Sequence, residues 1–321
     1  MKTLSNKTTL LLADMTLFIV AAIWGGGFVA GKYALKGLGP LAILMYRFCG
    51  AAIIMGLIFN RRIRLAERGI IKYGLLLGVL QFLGLLIQLF GLQYTTPAKQ
   101  SFLAATYVIF TPLAAWAITK ARPLKKDGLA AFIAVLGIAL ISLNGDLGIQ
   151  LGDPVTLLFA LVFSIQIVLT GRYAKSLDPI ALTFYQFSFS GLLSIICVIF
   201  SGTKIVCTDR GSLYGVTYLV FINTALAICL QNAAQKYAKD SHTALILSLE
   251  SVFGFLFSVL IFKETVTMKI ILGCILILAA LIISRGLLHH PSLRPCLKRA
   301  IFISGVTETV PDISIFLVVA G

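Results

Sequence analysis

Charge is what this chain has least of. Asp, Glu, Lys and Arg make up 12% of its 321 residues, about half the roughly 25% of a soluble domain. A water-soluble globule is excluded on that ground. Acids are the scarcer sign, with 12 Asp and Glu against 27 Lys and Arg and a net charge of +15. Histidine is limited to His242, His289 and His290, and no HExxH spacing exists. The six cysteines, Cys49, Cys197, Cys207, Cys229, Cys274 and Cys296, show no metal-ligand spacing, and four lie inside apolar runs. They read as small core hydrophobes. The phosphate-cradling pattern G-x-x-x-x-G-K-[ST] is missing, so ATP does not drive this protein directly. Without metal ligands or a carboxylate pair inside the apolar runs, an intramembrane enzyme has no acid–base machinery. No cofactor and no metal are expected. A cleavable signal peptide is not evident either: the first apolar stretch is long and lacks a small-x-small exit.

Apolar runs of about 20 residues fill the space instead, and the mean hydropathy is +0.99. The chain reads as an all-α polytopic membrane protein. Ten segments are expected near 14–35, 41–59, 70–92, 98–119, 127–144, 154–173, 179–201, 212–234, 242–262 and 267–285. Pro40, Pro97, Asp153-Pro154 and Asp178-Pro179 punctuate them as helix boundaries do. With a cytoplasmic N-terminus, nineteen of the 27 Lys and Arg residues fall on the inside and seven on the outside. That bias places both termini in the cytoplasm. The basic balance is therefore a topology signal, and no nucleic acid is expected as a partner.

The segment from Gly31 to Phe48, GKYALKGLGPLAILMYRF, returns as GRYAKSLDPIALTFYQF from Gly171 to Phe187. Gly, Tyr, Ala, Pro, Ala, Tyr and Phe recur in register across a one-residue gap, which indicates internal duplication. Tyr94 then pairs with Tyr237, Gln88 with Gln231 and Ser142 with Ser284. The repeated unit has five spans, an odd number, so its copies insert upside down relative to each other, as in many secondary transporters. The expected layout is a cytoplasmic segment 1–13, a first five-helix repeat 14–145, a second 150–285 and a cytoplasmic tail 286–321. In that tail the nine apolar residues from Ile313 to Gly321 are too few to span as a helix. Arg294, Lys298 and Arg299 are placed near anionic headgroups, and His289 and His290 read as a solvated pair.

A few polar residues lie at depth. Glu250, eight residues into the ninth segment, is costly there unless it faces a cavity or a partner. It is a candidate proton-coupling group or an anchor for a substrate amine; the alternative is a hydrogen-bonded structural glutamate. Arg47 is the basic residue well inside a span, and either snorkels, bonds a neighbouring helix, or serves as a gate or anion contact. Its repeat-mate is Gln186, and the neighbours Tyr46 and Tyr185 are mates as well, as gates or as interfacial tyrosines. Gln81, Gln166 and Asn223 fall near mid-span, either as interhelical glue or lining a central site. Trp24, followed by Gly25, Gly26 and Gly27, offers a stacking wall or a packing face. Tyr107 and Thr106 sit at mid-depth beside Val108, the apparent repeat-mate of Glu250, and Pro112 further on is a candidate kink.

AAIWGGGFVAGKYAL in the first segment, Arg47-Phe48 in the second and YTTPAKQSFLAATYVIFTPLAAW across the fourth resemble the EamA-type drug/metabolite transporters. LSLESVFGFLFSVLIFKETVTMKIILGCILILAALIIS over the last two segments, with Glu264 and Gly273, resembles them too. The likeness covers roughly 14–285. It implies ten transmembrane helices as two inverted five-helix repeats, carrying small metabolites across a bacterial cytoplasmic (inner) membrane by alternating access. Spans 1–4 and 6–9 would surround a central cavity. The expected partners are a small-molecule substrate, membrane lipids and protons. One departure is that the glutamate usual at the end of the fourth span is replaced around Arg122-Pro123.

Overall fold

In hydrocarbon an unpartnered backbone amide is expensive, so an apolar chain of this kind is confined to helices. The computed structural model describes residues 6–120, 125–142, 151–262 and 268–285, and among them helix is the regular secondary structure throughout. In chain order the helices are α1 (Asn6–Ala34), α2 (Pro40–Ile58), α3 (Ile70–Gln93), α4 (Pro97–Thr119) and α5 (Lys125–Ser142). The second half supplies α6 (Gly152–Ser176), α7 (Pro179–Ser201), α8 (Arg210–Gln235), α9 (Asp240–Ile261) and α10 (Met268–Arg285). A short helix, Asn60–Arg64, joins α2 to α3. Among the described residues eight helices, all but α5 and α10, are long and apolar enough to cross a membrane, against ten expected. The protein is an all-α polytopic membrane protein. Arg122, Pro123, Glu264 and the tail 286–321 lie outside the described residues.

The helix starts follow local chemistry. Pro40, Pro97 and Pro179 open α2, α4 and α7, where a missing N–H costs nothing. Thr96 caps α4 by accepting from the Lys99 amide, and Asp178 caps α7 by accepting from Ile180 and Ala181. α1 begins at Asn6, ahead of residue 14, because Asp14 does not end the helix. Its carboxylate pairs with His242 Nε2 of α9 at 3.2 Å.

Packing is nearly symmetric on exchange of halves. α1 packs on α8 and the second part of α9, as α6 packs on α3 and the second part of α4. α2 meets α8 as α7 meets α3, while α2 with α7, and α5 with α10, pair across the two halves. Both α4 and α9 are broken at mid-length, into Pro97–Ala104 and Tyr107–Thr119, and Asp240–Leu247 and Glu250–Phe262. Hydroxyls at the breaks bond back to the preceding turn: Thr106 to the Leu103 carbonyl, Ser248 to Leu245 and Ser251 to Ser248. Such back-bonding bends helices. The break in α4 therefore precedes Pro112, around which the helix continues. It also corrects the repeat register. Tyr107 and Glu250 each open the second part of a broken helix, so Tyr107, not Val108, is the counterpart of Glu250.

The glycines after Trp24 serve close approach. A Cβ on Gly25 would stand 2.5 Å from Phe253 Cβ, and one on Gly26 would stand 2.7 Å from the Tyr218 hydroxyl. Packing, not flexibility, explains that run.

Candidate functional site

A narrow cavity, part of it continuous with the exterior, lies between α1, α2, α3, α4, α6, α8 and α9. It reaches from Trp24, Gln81, Asn223 and Glu250 to Gly31, Leu92 and Gln100, where α1 and α3 finish and α4 begins. At that end the Lys32 ammonium donates to the carbonyls of Leu92 and Thr95, at 2.8 and 2.9 Å, stitching α1 to the α3–α4 turn.

Arg47 lines this cavity and is 3% exposed. Snorkelling to the interface is thereby ruled out, since the side chain turns into the bundle. Nε donates to Thr224 Oγ1 and Nη2 to Asn223 Oδ1, both at 2.8 Å. The acceptors are adjacent in sequence, and α8 presents both because it widens into a π-helical stretch, Leu219–Leu226. The Asn223 side-chain amide also donates to the Ile23 carbonyl, and the main-chain carbonyl of Asn223 accepts from the Trp24 indole at 3.3 Å. Guanidinium carries five donors, and these neutral contacts occupy two of them. Among the described residues Arg47 makes no ion pair.

The counterpart of this arrangement sits across the pseudo-symmetry. Gln186 Nε2 donates to Gln81 Oε1 at 2.7 Å, joining α7 to α3 as Arg47 joins α2 to α8. Gln166 of α6 donates to the same Gln81 oxygen. Glu250 is 3% exposed and borders the cavity at the N-terminus of a half-helix, the end that favours a carboxylate. The enclosed Tyr107 hydroxyl faces the Glu250 carboxyl, at a geometry short of a formed hydrogen bond. An aromatic wall completes the site. Phe163 meets Trp24 edge-on at 5.5 Å and Tyr107 at 5.1 Å, and stacks with Phe159 at 5.4 Å. Among the described residues no group of His, Cys, Asp and Glu is arranged to hold a metal.

Two stretches, residues 11–143 and 150–286, match the EamA-like transporter family. The chain belongs to that family. It is similar to an uncharacterized transporter of Archaeoglobus fulgidus, 34% identical over 273 residues and covering 85% of each chain. A Bacillus subtilis relative, the uncharacterized transporter YyaM, is 23% identical over 83% of this chain and 91% of its own. One crystal structure shares the fold with a TM-score of 0.68 at 16% identity, over 88% of this chain and 98% of that one.

In this EamA-like chain, Trp24, Arg47, Gln81, Asn223 and Glu250 come together at one cavity. Tyr107 joins them through Phe163 and Glu250. Gln166 and Gln186 are bonded to Gln81 from behind the lining. The two tyrosines proposed as gates are elsewhere: Tyr46 is 38% exposed and donates to the Ile205 carbonyl, and Tyr185 packs over Gly74 of α3. Sequence reasoning missed Thr224, Gln88, Gln100, Phe159 and Phe163. Gln88 was visible through its repeat pairing with Gln231; the phenylalanines carry no signal that separates a cavity wall from a lipid-facing surface.

Proposed function

We propose that the protein is a secondary carrier that moves a small metabolite, an amino acid or a related polar or amphipathic solute, by alternating access. The observation that carries this reading is a guanidinium and a carboxyl, Arg47 and Glu250, opening on the same cavity beside an aromatic wall. A zwitterion fits that set. Its carboxylate takes the unused donors of Arg47, its ammonium takes Glu250, and its side chain lies against Trp24 and Phe163. In the empty carrier Glu250 is taken to hold a proton, since among the described residues it forms no ion pair and burying an unpaired carboxylate is costly. Exchange of the proton for the amine couples flux to a pH gradient. A nucleotide diphosphate sugar is the less suitable cargo, because Arg47 is the basic side chain bordering the cavity. The five-helix duplication supports inverted repeats, the lysine and arginine bias supports both termini inside, and the likeness to EamA-type carriers supports a bacterial cytoplasmic membrane. Carriage across a membrane requires no bond making at the site, so no catalysis is assigned.

Proteoliposomes holding the purified carrier and preloaded with unlabelled amino acids test this by counterflow of labelled ones. Saturable, competable uptake that responds to an imposed pH gradient is expected. Glu250→Gln is expected to keep its fold and lose that response. An unsaturable flux would mark a channel, and flux of no solute a scaffold.

A further inference from the structure

The cavity occupies one side of a pseudo-symmetric bundle and does not border the equivalent positions on the other side. Gly31 with Gly171, Tyr94 with Tyr237 and Tyr107 with Glu250 set the register. In it the cavity-lining Leu89, Leu92 and Gln100 correspond to Asn232, Gln235 and Thr243. Those three are 1%, 0% and 0% exposed. Asn232 Nδ2 donates to Thr183 Oγ1 and Gln186 Oε1 at 2.9 Å, and Gln235 Nε2 donates to the Ile167 carbonyl at 3.0 Å. α8 is thereby tied to α7 and α6 at positions whose counterparts border the cavity. Two further observations distinguish this plug from an ordinary packed core. At two of the three positions, 89 and 92, the counterpart is leucine, yet the plug places the amides Asn232 and Gln235 there. At the same end Thr243 Oγ1 and Asp240 Oδ1 are buried without a hydrogen-bond partner. Enclosed orphan oxygens are costly, and they are tolerable on a surface that is wetted in another conformation.

We propose that Asn232, Gln235 and Thr243, with Gln186, line the second half of the permeation path and form a polar contact station for the solute. Here they close their side; in the opposite conformation they part, take up water, and offer hydrogen bonds to the polar groups of a zwitterionic or neutral solute. Leu89 and Leu92 then close the other side. The inference rests on alternating access and adds that the two vestibules differ chemically at two paired positions, Leu89 and Leu92 on one side against Asn232 and Gln235 on the other.

The test uses the full chain with its native cysteines replaced and one cysteine returned, by Leu89→Cys or Asn232→Cys. A membrane-impermeant thiol reagent is applied to sealed right-side-out and inside-out vesicles. Leu89→Cys is expected to react from one face and Asn232→Cys from the opposite face. Phe28→Cys and Val168→Cys, a mate pair outside the amide cluster, report alternation independently. If that pair reacts from opposite faces while position 232 stays silent, or reacts from the face that reaches position 89, the assignment falls and the carrier reading stands. If neither pair alternates and no amino acid shows saturable flux, both fall. Asn232→Leu is expected to slow counterflow at least tenfold, with Asn232→Ser restoring part of the loss. Equal rates in both variants would mean that the amide is only packing.

Discussion

Arg47 and Gln186 do the same mechanical work with different charge. Each ties a helix of one half to a helix of the other, Arg47 to Thr224 and Gln186 to Gln81, at 2.8 and 2.7 Å. A guanidinium is not needed for that tie, and burying it is costly unless its remaining donors find acceptors. Under the proposed function the charge at position 47 serves the cargo. Arg47→Gln is expected to leave thermal stability in detergent within about 1 kcal/mol, since a neutral hydrogen bond replaces a charged one. Transport of solutes bearing a carboxylate should drop by one to two decades, as a lost charge-assisted bond of about 1.5–3 kcal/mol implies. An equal loss for solutes without a carboxylate would remove the cargo role. The depth of Arg47, Gln81, Asn223 and Glu250 was legible in the chain because a polar side chain in a twenty-residue apolar run stands out. Their partners were not legible. Thr224 faces Arg47 only because α8 widens locally, and Tyr107 faces Glu250 only because both helices break at matching places.

Helix ends and breaks follow the same logic one level up. Proline and aspartate marked the starts of α2, α4 and α7 in the sequence, since capping is local chemistry. The breaks in α4 and α9 were hidden, because Thr106, Ser248 and Ser251 read simply as small residues in apolar runs. Asp178 allows capping and ion pairing to be separated. It accepts from two amides of α7 and also from Arg62, whose contact at 2.8 Å involves side chains 39% and 31% exposed. Asp178→Ala should cost about 1 kcal/mol through the lost cap, whereas Arg62→Ala, losing a partly solvated pair, should cost less than about 1 kcal/mol. Thermal unfolding in one detergent compares them. Asp209, outside the membrane-spanning helices, caps α8 by accepting from the Ser212 amide at 2.6 Å. That bond, followed by the Ser212 hydroxyl and the nearby Lys36 charge, holds its carboxyl below the ordinary carboxylate range. The native state thus favours the ionised form. The gain is present above the ordinary carboxylate pKa and is lost as pH falls through the lower folded value. Asp209→Asn, itself a good cap, should match the parent near neutral pH and show a weaker fall in stability under acid.

Across the whole bundle, inverted insertion makes a topological demand that the local chemistry does not. The arginines of 61–68 and Lys175 belong to one face, and Lys204 with Arg210 to the other, if the N-terminus is cytoplasmic. The proposed orientation rests on the uneven distribution of Lys and Arg, because translocating a lysine or arginine against the membrane potential is unfavourable. In the packing α2 and α7 meet across the two halves, and the proposed inverted insertion gives those halves opposite polarity. A cysteine placed at Arg62 and one placed at Lys204, each alone in a cysteine-free chain, should therefore react with an impermeant reagent from opposite faces of intact cells. Position 204 is expected to label from outside and position 62 only after permeabilisation. Labelling of both from one face would break the inverted arrangement, and with it the two-sided path, however well the cavity itself is formed.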